Sequence, residues 1–391
     1  MKMATRCVQF GSGDDPYGSV SPPLYQTATF RQTTASDFGE YDYTRSGNPT
    51  RTLLQQQLAL LEGGSHACAF ASGMAAITAV TGLVKCDEEI IAGDDLYGGT
   101  VRLLEHLRER QRIRITYVDT SDLQAFNASL TRQTMLVLIE TPSNPLFRIS
   151  DIRKLAHATR EAGAVLAVDN SMLSPILQQP LSLGADIVIH SATKFLCGHG
   201  DVTAGAVITN EQNLHKEIAF MANTEGAGLS PFDCWLSLRG LKTLALRVQR
   251  QSETAAVIAQ FLKLRPQVRR VYYPAFEQHG GYDIHRSQAT GDGAVISFTT
   301  GDAELSARIV EATQLFGIAV SFGSVGSTIS LPCRMSHSSI PQSLRGRLGP
   351  PPDLVRLSVG IEDVNDLIED LERAFTRASA CAGALSFNKN C

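Results

Sequence analysis

The stretch Asp186-Ile-Val-Ile-His-Ser-Ala-Thr-Lys-Phe-Leu196 ends a short apolar run, Ile187 to Ile189, in Ser191, Thr193 and Lys194. An ammonium at the end of a buried strand is costly unless it is paired, exposed or put to covalent use. Lys194 therefore either marks the strand's exit into solvent or forms a Schiff base with a carbonyl compound, the neighbouring hydroxyls holding a phosphate or orienting the amine. Taken alone, the stretch favours the first reading. The elements around it have to decide.

Those elements alternate. Helical periodicity over 50–62 ends at Gly63-Gly64, and Pro49 is a favoured first-turn residue. Strands are predicted at 66–70, 88–92, 113–118, 135–140, 164–168 and 186–190, with helices at 73–84, 101–111, 121–130 and 151–161 between them. Such alternation implies a mostly parallel sheet covered on both faces, an α/β fold. Ligands of such sheets bind outside the carboxyl ends of the strands. Ser72-Gly73-Met74, Asp94 and Tyr97, Asn144, Asp169, and Ser191 with Thr193 and Lys194 each come after a predicted strand.

Pyridoxal phosphate chemistry needs a lysine, an acid at the pyridine nitrogen, a phosphate cradle and an aromatic to stack on the ring. Lys194, Asp169, Ser72-Gly73-Met74 and Tyr97 would supply all four. Each has a plainer reading: a capping or salt-bridged aspartate, small residues packing strand against helix, an aromatic packed at a helix start. Their joint occurrence at strand ends weighs more than any one of them. No Gly-x-Gly-x-x-Gly or Gly-x-x-x-x-Gly-Lys-Ser/Thr motif occurs, so dinucleotide and nucleoside triphosphate binding lack their usual signatures.

Past about residue 241 the pattern changes. A helix at 243–264 precedes the segment 268–273, a strand at 294–298, a helix at 304–315, strands near 318–322, 329–331 and 354–359, and a closing helix from 364. This reads as a smaller α+β domain. Ser321 and Arg356 both fall in strand context, and a strand arginine needs a carboxylate partner, internal or bound. Residues 346–352 read as an exposed loop, and the tail from Ser379 as disordered. Residues 1–44, rich in turn formers such as Pro16, Gly18, Pro22 and Pro23, read as an arm draped over another surface, such as a neighbouring subunit's. The division expected is 1–44, 45–241 and 242–391.

Bulk properties bound the function. The 391 residues are 43% hydrophobic and 19% charged with a net charge of −4, which gives no reason to expect nucleic acid or an anionic membrane as partner. The first ten residues contain no apolar signal core. Eight scattered cysteines without a Cys-x-x-Cys pair point to free thiols in a reducing compartment. Cys197-Gly-His199 lacks a second ligand pair at zinc spacing, and no metal site is expected.

The runs Tyr43-Thr-Arg45-Ser-Gly-Asn-Pro-Thr-Arg51, Ala71-Ser-Gly-Met-Ala-Ala76, Asp169-Asn170 and His190-Ser-Ala-Thr-Lys194-Phe make the chain, over nearly its whole length, resemble the Cys/Met-metabolism family of pyridoxal phosphate enzymes, the trans-sulfuration enzymes. The resemblance implies the fold-type I aminotransferase-like architecture: a large cofactor domain and a smaller α+β C-terminal domain. It implies Lys194, with Tyr97 and Tyr43, as catalytic residues. Asp169 would keep the ring nitrogen protonated, Tyr97 would stack on the ring, and Gly73, Met74, Ser191 and Thr193 would hold the phosphate. Asn144 would face the phenolic oxygen, and Ser321 and Arg356 would bind the substrate carboxylate. Tyr43 and Arg45 would reach the phosphate from an adjacent subunit, in a homotetramer built as a dimer of dimers.

Gly93-Asp-Asp-Leu-Tyr-Gly-Gly99, Pro231-Phe-Asp-Cys-Trp-Leu236 and Ala319-Val-Ser-Phe-Gly-Ser324 resemble the plant-type β-lyase branch, which implies β-elimination of L-cystathionine in methionine biosynthesis, in the cytoplasm or plastid stroma. Relatives acting at the γ-carbon often carry Glu where this chain has Val320, so a γ-synthase or γ-lyase is the alternative within the family. A non-catalytic cofactor-binding regulator or a cofactor-free structural protein are readings from other classes.

Overall fold

A computed structural model describes residues 1–10 and 17–387, and the side chains through residue 380. Pro16 and the last four residues of the tail lie outside the described residues.

Among the described residues, twelve strands form two sheets. The first contains β1 (His66–Phe70), β2 (Glu89–Gly93), β3 (Arg114–Val118), β4 (Thr134–Glu140), β5 (Val165–Asp169), β6 (Ile187–His190) and β7 (Gly205–Thr209). Their spatial order is β1-β7-β6-β5-β4-β2-β3. The run from β3 to β6 is parallel throughout, and β7 is antiparallel to both its neighbours. Strand β7, unforeseen in the sequence, lies between β1 and β6. The mostly parallel α/β sheet is as expected.

Alternation along β6 shows how the sheet is covered. Ile187 and Ile189 pack with Ile77 and Val80 of the helix Gly73–Thr81, while Val188 packs with Leu54, Leu58 and Leu61 of the helix Pro49–Glu62. A strand buried on both faces reads as a continuous apolar run for this reason. The helix Pro49–Glu62 starts at Asn48, whose side chain accepts from the Thr50 amide at 3.0 Å, and stops at left-handed Gly63.

The second sheet contains β8 (Arg270–Tyr272), β9 (Val295–Thr299), β10 (Gly317–Ile318), β11 (Thr328–Ser330) and β12 (Leu354–Ser358), in the order β10-β11-β12-β9-β8. The helices Leu244–Lys263 and Ala303–Ala312 pack on it, and the helix Val364–Phe387 packs against those two helices. Among the described residues, no helix is long and apolar enough to cross a membrane.

Three expectations need correction. The strand near 318–322 ends at Ile318, and Ser321 sits in a loop with a left-handed φ of 83°. Residues 346–352 are not all loop, because the helix Gln342–Leu348 covers their start. The tail is helical past Ser379, to Phe387; its run of small residues lacks an amphipathic pattern but keeps good helix propensity. At the start of the arm, the helix Met3–Val8 has Cys7 fully buried and the Arg6 carbonyl accepting from Gln57 Nε2 at 2.6 Å.

Candidate active site

The carboxyl ends of β1, β2, β4, β5 and β6 open onto a cavity of about 520 Å³, and the C-terminal sheet closes it from the other side. Lys194, Asp169, Tyr97, Gly73, Met74, Asn144, Ser191, Thr193, Ser321 and Arg356 all line it. These ten predicted residues come together. Tyr43 and Arg45 do not line this cavity: Arg45 lies 5.5 Å from the Tyr43 ring and donates to the Asn223 carbonyl at 2.7 Å and its Oδ1 at 2.9 Å.

Lys194 is not a solvent-facing strand end. Its Nζ donates to Ser321 Oγ and lies 5.0 Å from the Phe322 ring centre. Burial, and then the Arg356 guanidinium, push its pKa down to about 8 against the opposing pull of Asp169. The backbone that carries it is held by Arg247, a buried guanidinium donating to the carbonyls of Phe195 at 2.8 Å and Gly240 at 2.9 Å.

This lowered pKa makes a stability prediction for the cofactor-free protein. A lysine depressed from 10.5 to about 8 binds its proton less readily folded than unfolded, so stability rises with pH between those values. Below about pH 8 the folded state bears the whole penalty of a buried ammonium. Cofactor-free Lys194→Met should therefore melt above the cofactor-free wild type at pH 7, and the gap should close as pH is raised past 8. Scanning calorimetry across that range tests it, and a gap independent of pH contradicts it.

Arg356, on β12, donates to Asn144 Oδ1 at 2.8 Å and to the Ser321 carbonyl at 3.0 Å. The internal partners anticipated for a strand arginine are thus neutral oxygens, which leaves its charge available to an incoming carboxylate. Burial brings its pKa down to about 10, with Tyr97 and Glu140 opposing. The Ser321 backbone conformation, rare for a residue with a Cβ, is held by this bond and aims Oγ at the lysine.

At the floor, Asp169 accepts from the Ser171 amide at 2.9 Å, and Ser171 Oγ accepts from the Ser191 amide at 2.6 Å. Glu140 stands opposite Asp169 in the β4–β5 register, and its Oε1 accepts from the Tyr97 amide at 2.9 Å. Burial raises both carboxyls, Glu140 well above its ordinary range because Asp169 adds its charge. Ser171, His190 and Lys194 all favour the ionised form of Asp169. Of the two, Asp169 is the carboxyl whose surroundings favour the negative charge, and Glu140 the one pushed further toward its protonated form.

At the cavity's other end, the helix Gly73–Thr81 is capped by Ser72 Oγ, which accepts from the Ala75 amide at 3.1 Å. The first amides of a helix lack intrahelical partners, and here they belong to Gly73 and Met74. A Cβ on Gly73 would lie 2.8 Å from Ser191 Cβ, so only glycine lets this turn approach Ser191. The Thr193 hydroxyl is engaged on both sides by Ala204, donating to its carbonyl at 3.1 Å and accepting its amide at 2.9 Å.

Sequence reading missed Glu140, Ser171 and the segment 335–339, whose Met335, Ser336, Ser338 and Ser339 line the cavity from the C-terminal half. An acid ending an apolar strand was the available signal for Glu140. For 335–339 the signal was Gly98: a Cβ there would lie 2.9 Å from the Ser336 carbonyl, but only the folded chain reveals that approach. The donor set suits pyridoxal phosphate. It offers a desolvated amine, an ionised acid at the floor, free amides at a helix start, and Tyr97 on the wall.

Comparison with known proteins agrees. The chain is 52% identical over 373 residues to a chloroplastic cystathionine beta-lyase of Arabidopsis thaliana, covering 95% of this chain and 80% of that protein. It is 44% identical over 375 residues to a cystathionine gamma-lyase of Bacillus subtilis, covering 96% and 99%. The fold superposes with a TM-score of 0.95, at 39% identity and over 97% and 99% of the two chains, on a cystathionine gamma synthase of Xanthomonas oryzae pv. oryzae solved with aminoacrylate and cysteine. The profile of the Cys/Met metabolism PLP-dependent enzymes matches residues 4–376, and the chain belongs to that family.

Proposed function

We propose that this enzyme is a carbon–sulfur lyase that cleaves L-cystathionine by β-elimination, yielding homocysteine, pyruvate and ammonia. The observation that carries the reading is the placement of the Lys194 amine beside Ser321 and Arg356, with apolar Val320 lining the same wall. A substrate carboxylate on Arg356 and Ser321 brings Cα within reach of Lys194 Nζ. The cofactor, when bound, supplies the electron sink that makes the Cα proton removable.

Lys194 takes that proton, and its depressed pKa keeps an appreciable unprotonated fraction near neutrality. The Cβ–sulfur bond then breaks with its electron pair going to sulfur, which takes up the proton held on Lys194 and leaves as homocysteine. The remaining three-carbon unit takes up one water and ends as pyruvate and ammonia. Val320 supports departure from Cβ: it puts no carboxylate beside Ser321 that could take up a proton from a more distant carbon. Asp169, ionised against Glu140, is the residue to hold a proton on the ring nitrogen. Gly73, Met74, Ser191 and Thr193 would hold the phosphate, and Asn144 the phenolic edge.

The test is the product pair from L-cystathionine. Pyruvate with homocysteine is expected, while 2-oxobutyrate with cysteine would assign γ-lyase chemistry, a reading favoured by the gamma-lyase relative. Borohydride reduction of the cofactor-loaded protein should leave the adduct on Lys194 in peptide mass maps.

We further infer that Tyr43 and Arg45 complete the phosphate end of a neighbouring subunit's cavity, in a dimer of dimers. The half-exposed Tyr43 and the position of both residues outside their own cavity support this. A large cofactor domain over 45–241 and a smaller one over 242–391 fit the two sheets. A reducing compartment, cytoplasm or plastid stroma, suits the unpaired thiols of the six described cysteines.

A further inference from the structure

Behind the cavity floor lies a second polar cluster that the reaction does not use. Glu62, the last residue of the helix Pro49–Glu62, is buried, and its Oε1 sits 2.5 Å from His190 Nε2 and accepts from Asn170 Nδ2 at 2.9 Å. Its Oε2 is buried and has no hydrogen-bond partner among the described residues. The Asn170 amide is fully committed: Nδ2 also donates to the Gln178 carbonyl at 2.8 Å, and Oδ1 accepts from Gln178 Nε2 at 3.1 Å. Gln178 Nε2 donates in turn to the Thr141 carbonyl at 2.8 Å, one residue past Glu140.

Successive side chains of extended backbone point to opposite faces. Asp169 and Ser171 line the cavity while Asn170 between them meets Glu62; Ser191 lines the cavity while His190 before it meets Glu62. One carboxylate oxygen thus ties the ends of two adjacent strands, each tie one residue from a group of the cavity floor. A buried carboxylate with an unpartnered oxygen is a poor device for stability alone, because a well-packed apolar group in its place would cost less. What it does is fix two strand ends against each other.

We propose that Glu62 and His190 form the positioning pair of the cofactor site, locking the ends of β5 and β6 so that Asp169 and Ser191 keep their relative places when pyridoxal phosphate binds. Within the pair, His190 acts with Lys194 to favour the ionised form of Asp169. The inference rests on pyridoxal phosphate occupying this cavity and not on which thioether is cleaved.

The test uses wild-type holoenzyme, Glu62→Gln, His190→Gln and the double variant, each loaded with pyridoxal phosphate labelled with nitrogen-15 in the ring. The pyridoxal phosphate dissociation constant, the ring-nitrogen chemical shift and the melting temperature are measured. Each single variant should weaken cofactor binding about tenfold and move the ring-nitrogen shift toward its unprotonated value. The double variant should be no worse than the more damaged single one, because the two residues act as a unit.

Unchanged affinity and shift in both single variants, even with a lowered melting temperature, would reduce the pair to a structural role and overturn the proposal. Additive losses in the double variant would overturn it as well. Should Glu62→Gln fail to fold, Glu62→Asp keeps the charge but shortens the reach, and the same loss of affinity is expected from it. Wild-type protein that takes up no cofactor at Lys194 would instead bring down the reading of the cavity itself.

Discussion

Lys194→Ala is expected to lower kcat for L-cystathionine cleavage by about 10⁴-fold or more, the upper range for loss of a positioned proton-transfer group. Among the described residues Lys194 is the one lysine lining the cavity, so no second amine stands ready to replace it. Arg356 and Arg102 also line the wall, but a guanidinium stays charged across the working range and cannot act as a base. Lys194→Arg should accordingly be as inactive as the alanine variant, although it keeps the charge beside Asp169. Pyruvate release at saturating substrate is the readout. Cleavage within tenfold of wild type in either variant would mean that Lys194 only packs against Phe322 and Ser321. The alanine variant should still bind the cofactor without a covalent link, because the contacts at Asp169, Gly73 and Ser191 are untouched.

The residues that make this prediction were readable in the sequence because of how a parallel sheet is built. Apolar runs of four to six residues mark the strands, and the residues just after each run must lie on one edge of the sheet. Ser72-Gly73-Met74, Tyr97, Asn144, Asp169 and Lys194 were found in that way, and they line one cavity. Features set by contacts distant in sequence were not readable. Strand β7 comes after a glycine-rich stretch beyond β6 and turns back to pair with β1, so its place depends on residues far upstream. The segment around Ser321 alternates like a strand, yet the Arg356 side chain and a left-handed φ at Ser321 end the strand early. Glu140 looks like an ordinary acid at a strand exit, and only the register placing it beside Asp169 gives it a raised pKa and a role. Tyr43 and Arg45 form a recognisable motif, but neither lines the cavity of its own chain, so the fold of one chain gives the motif no role there.

Asp169→Asn is expected to be the next most damaging change, with kcat reduced roughly 10²- to 10⁴-fold. That range corresponds to the 3–5 kcal/mol cost of breaking one partner out of a buried charge pair. The substitution keeps the side chain's shape and an oxygen for the Ser171 amide, so the backbone at the end of β5 should hold. What it removes is the negative charge that would face a protonated ring nitrogen, and Lys194 loses the group that opposes its desolvation. Glu140→Gln is the informative contrast. Because burial and the Asp169 charge favour the protonated form of Glu140, an amide there keeps an acceptor for the Tyr97 amide and perturbs the charge little, so its cost should be at least tenfold smaller. If Glu140→Gln proved the more damaging, the charge would sit on Glu140 and the division of roles between the two carboxyls would be reversed. The two variants, assayed side by side for kcat and for ring-nitrogen chemical shift, therefore locate the negative charge as well as measuring its worth. The asymmetry comes from position: Asp169 is surrounded by Ser171, His190 and Lys194, all of which favour its ionised form, whereas Glu140 has the Tyr97 and Asn144 amides and a like charge as its neighbour.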